Sequence, residues 1–182
     1  MSCRVYGASG LPPRWLLEAA ILRAAPPQHL LFLCVANSAR SQLAEGLARA
    51  MAPEGVSVYS AGSEPTGVRP EAVTVLEELN IPTNAQRSNS IDALEGIAMD
   101  TVITLCAEEV CPTWLQPVSP PSGRGASSAR QQTVRRLHWG LPDPAAVDES
   151  EEARLNAFRA TRDELSRRLR MIWPGQFRRG RE

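Results

Sequence analysis

The sequence predicts an α/β fold: a central four-stranded parallel sheet with helices on both faces, preceded by an N-terminal helical extension. Three observations lead there. Short apolar runs alternate along the chain with segments of helical period, the order that builds a parallel sheet. The first run, Leu30–Leu33, is apolar without alternation, as a strand buried on both faces is. Two of the runs lead into cysteines, Cys34 and Cys106. In such sheets ligands sit beyond the carboxyl ends of the strands, so both cysteines fall on one edge of the molecule.

Residues 1–28 form the extension. A helix from Pro13 to about Ala25 is expected, with Trp15, Leu16, Ala19, Ala20 and Leu22 as its apolar face and Pro26-Pro27 as its stop. The main domain spans 29–174. Leu30–Leu33 is its first strand. Ser41–Met51 follows as a helix with Leu43, Ala44, Leu47, Ala48 and Met51 on one side. Val56–Tyr59 is the second strand, leading into Ser60-Ala61-Gly62. Arg69–Leu79 reads as a helix with Ala72, Val73, Leu76 and Leu79 inward, ended by Asn80 and Pro82. Ser90–Ala98 reads as a short helix opened by Ser90. Thr101–Leu105 and Arg136–Trp139 are the third and fourth strands. Glu149–Ile172 is a long helix with a stripe of Ala153, Ala157, Leu165, Leu169 and Ile172. Residues 116–134 are rich in Pro, Gly and Ser and read as a surface loop. Residues 175–182, with Arg178, Arg179 and Arg181, are a basic, solvated tail.

Lys+Arg and Asp+Glu stand at 20 each, so the formal net charge is zero. That balance speaks against general nucleic-acid binding and against electrostatic membrane binding. The apolar stretch Trp15–Leu22 is interrupted by Glu18 and too short to span a bilayer. No secretory signal is visible, so a cytoplasmic protein with reduced thiols is expected. Of the four cysteines, Cys106 and Cys111 have four residues between them, not the two of a zinc knuckle.

The chemistry concentrates in Leu30 to Ser41, L-L-F-L-C-V-A-N-S-A-R-S. A strand, a tight loop and a helix start are expected here. Loop N–H groups from Val35, Ala36, Asn37, Ser38, Ala39 and Arg40 then converge on one point, and the helix dipole adds positive charge. Cys34 supplies a nucleophile, whose reacting form is the thiolate that such surroundings favour. The planar fork of Arg40 suits a tetrahedral oxyanion.

Cys-x5-Arg-Ser, set between strand and helix, resembles the phosphate-binding loop of low-molecular-weight protein tyrosine phosphatases. It resembles equally the arsenate reductases that share their fold. The resemblance runs from about His29 to Trp173. It implies Cys34 as nucleophile, Arg40 as oxyanion clamp, Ser41 as the hydroxyl on the thiolate, and Asn37 as the brace of the loop. In H-W-G-L-P-D-P, Asp143 matches the general acid. In T-L-C-A-E-E-V-C-P, Cys106 and Cys111 match the relay pair of thioredoxin-coupled arsenate reductases, a pair the phosphatases do not need. The implied activity is reduction of arsenate to arsenite. It passes through a Cys34–Cys106 disulfide and then a Cys106–Cys111 disulfide, which thioredoxin reduces. No organic cofactor is implied, and residual phosphatase activity is compatible with the loop. Some such reductases hold potassium beside the loop. The matching positions are Asn37, Glu45, Ser60 and Asn89, and Asn89 stands where an acidic residue is usual, which implies a weak site at best. Ala36 stands where glycine is usual, and Ala39 where many of these reductases carry a further cysteine.

Two other readings stay open on sequence alone. One is a phosphatase for aryl phosphates, although aromatic residues make up only 5% of the chain, few for a tyrosine-sized pocket. The other is a non-catalytic phosphate-binding redox sensor. Cys3 matches no position in the resemblance and is expected to be dispensable.

Overall fold

The computed structural model describes residues 12–106 and 134–175. The expectations for Cys3, for Cys111, for nearly all of the 116–134 loop and for Arg178, Arg179 and Arg181 lie outside the described residues. Four strands, β1 (His29–Cys34), β2 (Ser57–Gly62), β3 (Thr101–Thr104) and β4 (Arg135–His138), form one sheet in the order β2-β1-β3-β4. Every pairing is parallel. Leu33 of β1 pairs with Ala61 of β2 and with Thr104 of β3, which brings the three carboxyl ends level. β3 is one residue shorter than expected, so Cys106 lies two residues past its end.

Among the described residues four α-helices are present, and all pack on one face, not on both as expected: α1 (Arg14–Ala24), α2 (Arg40–Met51), α3 (Pro70–Glu77) and α4 (Glu151–Ile172). They share one apolar core with Leu30, Phe32 and Ile103 of the strands. The other face, lined by Leu31, Leu33, Ala61 and Val102, is covered among the described residues by Tyr59, Ile91, Leu94, Met99 and Val134. Trp15, Ala19 and Leu22 of α1 are buried against α4. The guanidinium of Arg167 stacks over the Trp15 ring, 4.3 Å from its centre. Ala20, expected on the apolar face, is exposed.

β2 runs on to Gly62 and β4 starts one residue early, at Arg135; three larger differences from the expectation each have a local reason. Ser90–Ala98 is not a helix but one 3-10 turn, Ile91–Leu94. Ser90 caps it by accepting from the Asp92 N–H, but Gly96 takes φ +84° and ends the helical path. In α3 the inward residues are Ala72, Val75 and Leu76, an i, i+3, i+4 set, and Val73 is only half-buried. In α4 the stripe is Phe158, Leu165, Leu169 and Ile172, so the large Phe158 takes the place expected of Ala157. α4 starts where Ser150 accepts from the Ala153 N–H. Glu151 and Glu152 in its first turn and Arg170 in its last complement the helix dipole.

Asp100 ties the amino-terminal edge of the sheet together. Its carboxylate accepts from the backbone N–H groups of Gln28 (2.7 Å) and His29 (2.8 Å), from the Thr101 hydroxyl and from Arg135. Arg135 in turn donates to the Ala25 carbonyl at the end of α1. Burial alone raises the carboxyl, but these donors outweigh it and hold the group below its ordinary 3.8. Such a group adds stability above its unfolded value, and that stability is lost as pH falls through the folded one. Asp100→Ala should therefore cost about 2 kcal/mol at pH 7, a fall of roughly 4–8 °C in Tm. The gap to the native protein should narrow below about pH 4. A gap that does not change with pH in acid melts would refute this role.

Candidate active site

The loop between β1 and α2 is shaped by where its carbonyls go. The carbonyls of Val35, Ala36 and Ser38 accept from the N–H groups of Glu64, Thr66 and Arg69. Ala36 also takes the Ser88 hydroxyl, and Asn37 takes the Gln42 side chain. With the carbonyls turned outward, no hydrogen bond among the described residues takes up the N–H groups of Val35, Ala36, Ser38 or Ala39. α2 has no side-chain cap, so its first amides add to the same set. This is a ring of backbone donors at a helix N-terminus, the arrangement that binds an oxyanion.

One strained residue makes the turn. Asn37 has φ +45° and no exposed surface. Asn tolerates this conformation better than most side chains. Ala36, which stands where glycine is usual, has no positive φ, so its Cβ carries no strain of that kind. The Asn37 N–H donates to Cys34 Sγ at 3.2 Å. Its Oδ1 accepts from the backbone N–H of Asn89 (2.6 Å) and from Gln42 Nε2. That fixes which end of the amide is which. Its Nδ2 then donates to Ser41 Oγ (2.9 Å) and Ser60 Oγ (2.8 Å). Because Ser41 accepts from Asn37, its own hydrogen is left for Cys34 Sγ, 2.9 Å away. Two donors thus meet the sulfur of a buried, unbridged cysteine and orient it at the mouth of the loop.

The clamp and the acid meet at the same edge. Arg40 donates to the Leu141 carbonyl and, at 3.1 Å, to Asp143 Oδ2. The Asp143 side chain is 44% exposed, against 12% for Arg40. The other oxygen of Asp143 accepts from the Ala145 N–H and opens a short 3-10 turn. Cys106 is buried just past β3, the strand beside β1. The N–H of Leu105 bonds to the Leu33 carbonyl, which seats the end of β3 against the base of the loop. Cys111 is outside the described residues.

Residues 29–178 match the family described as low molecular weight phosphotyrosine protein phosphatase. The chain belongs to that family. Among its relatives is the arsenate reductase of Halalkalibacterium halodurans, 37% identical over 143 residues, 78% of this chain and 91% of that one. The arsenate reductase of Bacillus subtilis is 38% identical over the same shares. A solved arsenate reductase in the phosphate binding state superposes with TM-score 0.56 at 29% identity, covering 78% of this chain and 92% of that one. Another, in the oxidized state, gives 0.59 at 29% identity over 80% and 95%. No helix among the described residues is long and apolar enough to cross a membrane.

The four positions matched to a potassium site in this family do come together. Ser60 Oγ accepts from Asn37 and donates to Glu45 Oε2 at 2.9 Å. Glu45 is 2% exposed, and its other oxygen pairs with Arg49 at 2.6 Å. Burial pushes the Glu45 carboxyl up, and Arg49 and Ser60 partly hold it down. Asn89 contributes its N–H to Asn37 and its side-chain Nδ2 to the Arg87 carbonyl. The one carboxylate of the set already faces a guanidinium, while the neighbouring Gln42 Oε1 is buried with no hydrogen-bond partner among the described residues. Asn89 brings no second carboxylate to the set, and no step below passes through a cation.

Sequence reasoning missed three supports. Gln42 lies on a helix face that was read by its apolar residues, yet its amide braces Asn37 and the Arg87 carbonyl. Ser88 holds the Ala36 carbonyl from a distant loop. Gly62 was seen only as the end of β2. A Cβ there would lie 2.3 Å from the Val35 carbonyl oxygen and 2.8 Å from the Asn37 nitrogen. Gly62→Ala should displace the loop, cost roughly 1–3 kcal/mol of stability and remove most phosphate binding; native binding by this variant in calorimetry would contradict the packing described.

The Arg40–Asp143 pair gives a second outcome to measure. An oxyanion in the loop must share Arg40 with a carboxylate. Asp143→Ala removes the competitor, and an exposed pair is worth about 0.2–1 kcal/mol. The variant should bind inorganic phosphate up to about fivefold more tightly. Weaker binding would show that Asp143 helps to hold the anion.

Proposed function

We propose that this protein reduces arsenate to arsenite by a thiol relay starting at Cys34. The observation that carries the reading is the directed pair of donors on Cys34 Sγ at the mouth of a loop of free amides, with Arg40 and Asp143 at the same edge. Relatives 37–38% identical that are named arsenate reductases support it. The loop binds arsenate as it would phosphate. Cys34 thiolate attacks arsenic, and Asp143 protonates the oxygen that departs as water. Cys106 then attacks the Cys34 sulfur. The electron pair of the sulfur–arsenic bond passes to arsenic, arsenite leaves, and a Cys34–Cys106 disulfide remains. Cys111 attacks Cys106, freeing the Cys34 thiolate and leaving a Cys106–Cys111 disulfide for a dithiol reductant. Thioredoxin in the cytoplasm fits that last step, and no organic cofactor enters.

Cys111→Ser tests the order of events. Cys34 and Cys106 still supply both electrons for one turnover, and then the outward transfer has no acceptor. The variant should release about one arsenite per chain in a burst and little afterwards. Cys106→Ser should release none. Mass spectrometry of the stalled Cys111→Ser protein should find Cys34 joined to Cys106. Steady turnover by Cys111→Ser with thioredoxin as sole reductant would rule the relay out. A native protein that hydrolyses para-nitrophenyl phosphate and makes no arsenite would instead be a phosphatase.

A further inference from the structure

The chemistry above leaves one buried charge unused. Glu45 stands in the middle of α2, 2% exposed, directly behind the anion loop. A bare carboxylate there opposes both a Cys34 thiolate and a bound oxyanion, since all three carry negative charge in a poorly solvated region. Yet the carboxylate is tied into the chain that ends on Cys34. It accepts from Ser60, which accepts from Asn37, which donates to Ser41, which faces Cys34 Sγ.

Arg49, one turn further along α2, answers that charge. Its Nη2 lies 2.6 Å from Glu45 Oε1, and its Nε and Nη2 both reach the Val58 carbonyl on β2, at 3.3 and 3.2 Å. The Val58 contact fixes the guanidinium against the sheet, so it is not a loose surface partner. The groups that meet Glu45 are Arg49 from its own helix and Ser60 from β2. Arg49 is thus its one charged partner among the described residues, and that partner reaches solvent, with 43% of its side chain exposed.

We infer that Arg49 is a positioning residue for the nucleophile: it neutralises Glu45, so that Glu45 acts on Cys34 as an orienting acceptor at the end of the Ser60–Asn37–Ser41 chain and not as a repelling charge. An acceptor-only carboxylate takes the Ser60 hydrogen, which leaves the Ser60 oxygen to accept from the Asn37 amide that Asn89 and Gln42 already orient. The guanidinium cancels the charge that would otherwise come with it. The inference rests on Cys34 being the nucleophile of the proposed reaction. Its test reads the cysteine directly and does not depend on arsenate being the substrate.

The experiment measures alkylation of Cys34 in the reduced full-length protein by iodoacetamide, a neutral reagent, at pH 7, with the modified peptide followed by mass spectrometry. Arg49→Met should slow alkylation about two- to fivefold, the range of a partly exposed ion pair. Arg49→Lys should stay near the native rate. The deciding variant is Glu45→Gln combined with Arg49→Met. With the carboxylate gone there is nothing left to neutralise, so most of the lost rate should return. A guanidinium that merely braces the Val58 carbonyl predicts no such recovery. Native-like alkylation by Arg49→Met, or a double variant as slow as Arg49→Met, overturns the proposal. Should Arg49→Met fail to fold, the double variant decides alone. It must fold and react near the native rate, and failure of either kind overturns the proposal.

Discussion

The site depends on the buried carboxamide of Asn37. Burying a polar group without partners costs free energy, so a fully buried amide imposes its own geometry on whatever surrounds it. Asn37 has four side-chain hydrogen-bonding positions, and all four are used: Ser41 and Ser60 accept, Asn89 and Gln42 donate. Those partners come from α2, from β2 and from the segment before the 3-10 turn. One side chain therefore sets the distance of three elements from the loop. The same residue holds the positive φ that turns the backbone and points an N–H at Cys34. Loop shape and sulfur environment are consequently one constraint, not two.

A parallel sheet makes this economical. Adjacent strands end on the same side, so β1 delivers Cys34, β2 delivers Ser60 and Gly62, and the stretch after β3 delivers Cys106 to a common edge. The register leaves no slack. Cys34 pairs with Gly62, and only the missing side chain at Gly62 lets the Val35 carbonyl and the Asn37 nitrogen pass over β2. The outward carbonyls have the same origin. Glu64, Thr66 and Arg69 follow β2 closely and offer their N–H groups to the loop as they cross beneath it. The anion-binding face exists because the opposite face of the same peptides is already bound.

Much of this was legible in the linear order, and the legible parts share a property. Strand β1, the loop and α2 are contiguous, and the residue types that do chemistry there sit at fixed short spacings. The strand alternation likewise shows in local apolar runs. The parts that escaped are those set by contacts distant in sequence or by phase. Gln42 and Ser88 act on the loop across separations no local pattern encodes. Phe158 replaced Ala157 in the α4 stripe because α1, α2 and α3 all press on that helix and select its rotation. The 3-10 turn at Ile91–Leu94 carried a sound cap at Ser90. A cap starts a helix but does not carry it past a glycine at φ +84°.

In the proposed reaction, the pairing of Arg40 with Asp143 lets the same edge serve two steps. In the structure the clamp and the acid hold each other at 3.1 Å, on a carboxylate that is nearly half exposed. Such a pair is worth about 0.2–1 kcal/mol. Each charge-assisted bond from the loop amides or Arg40 to a dianion contributes about 1.5–3 kcal/mol. On the proposed function, this difference in magnitude lets an oxyanion take the guanidinium from the carboxylate. The Ala145 N–H bond to the other oxygen of Asp143 is independent of Arg40, so the carboxyl keeps an anchor when that pair opens. In the proposed reaction, a carboxyl kept beside Arg40 but off it is placed where the departing oxygen needs a proton. On that proposal the weak resting pair keeps the acid beside its work, and its weakness is what lets the anion in.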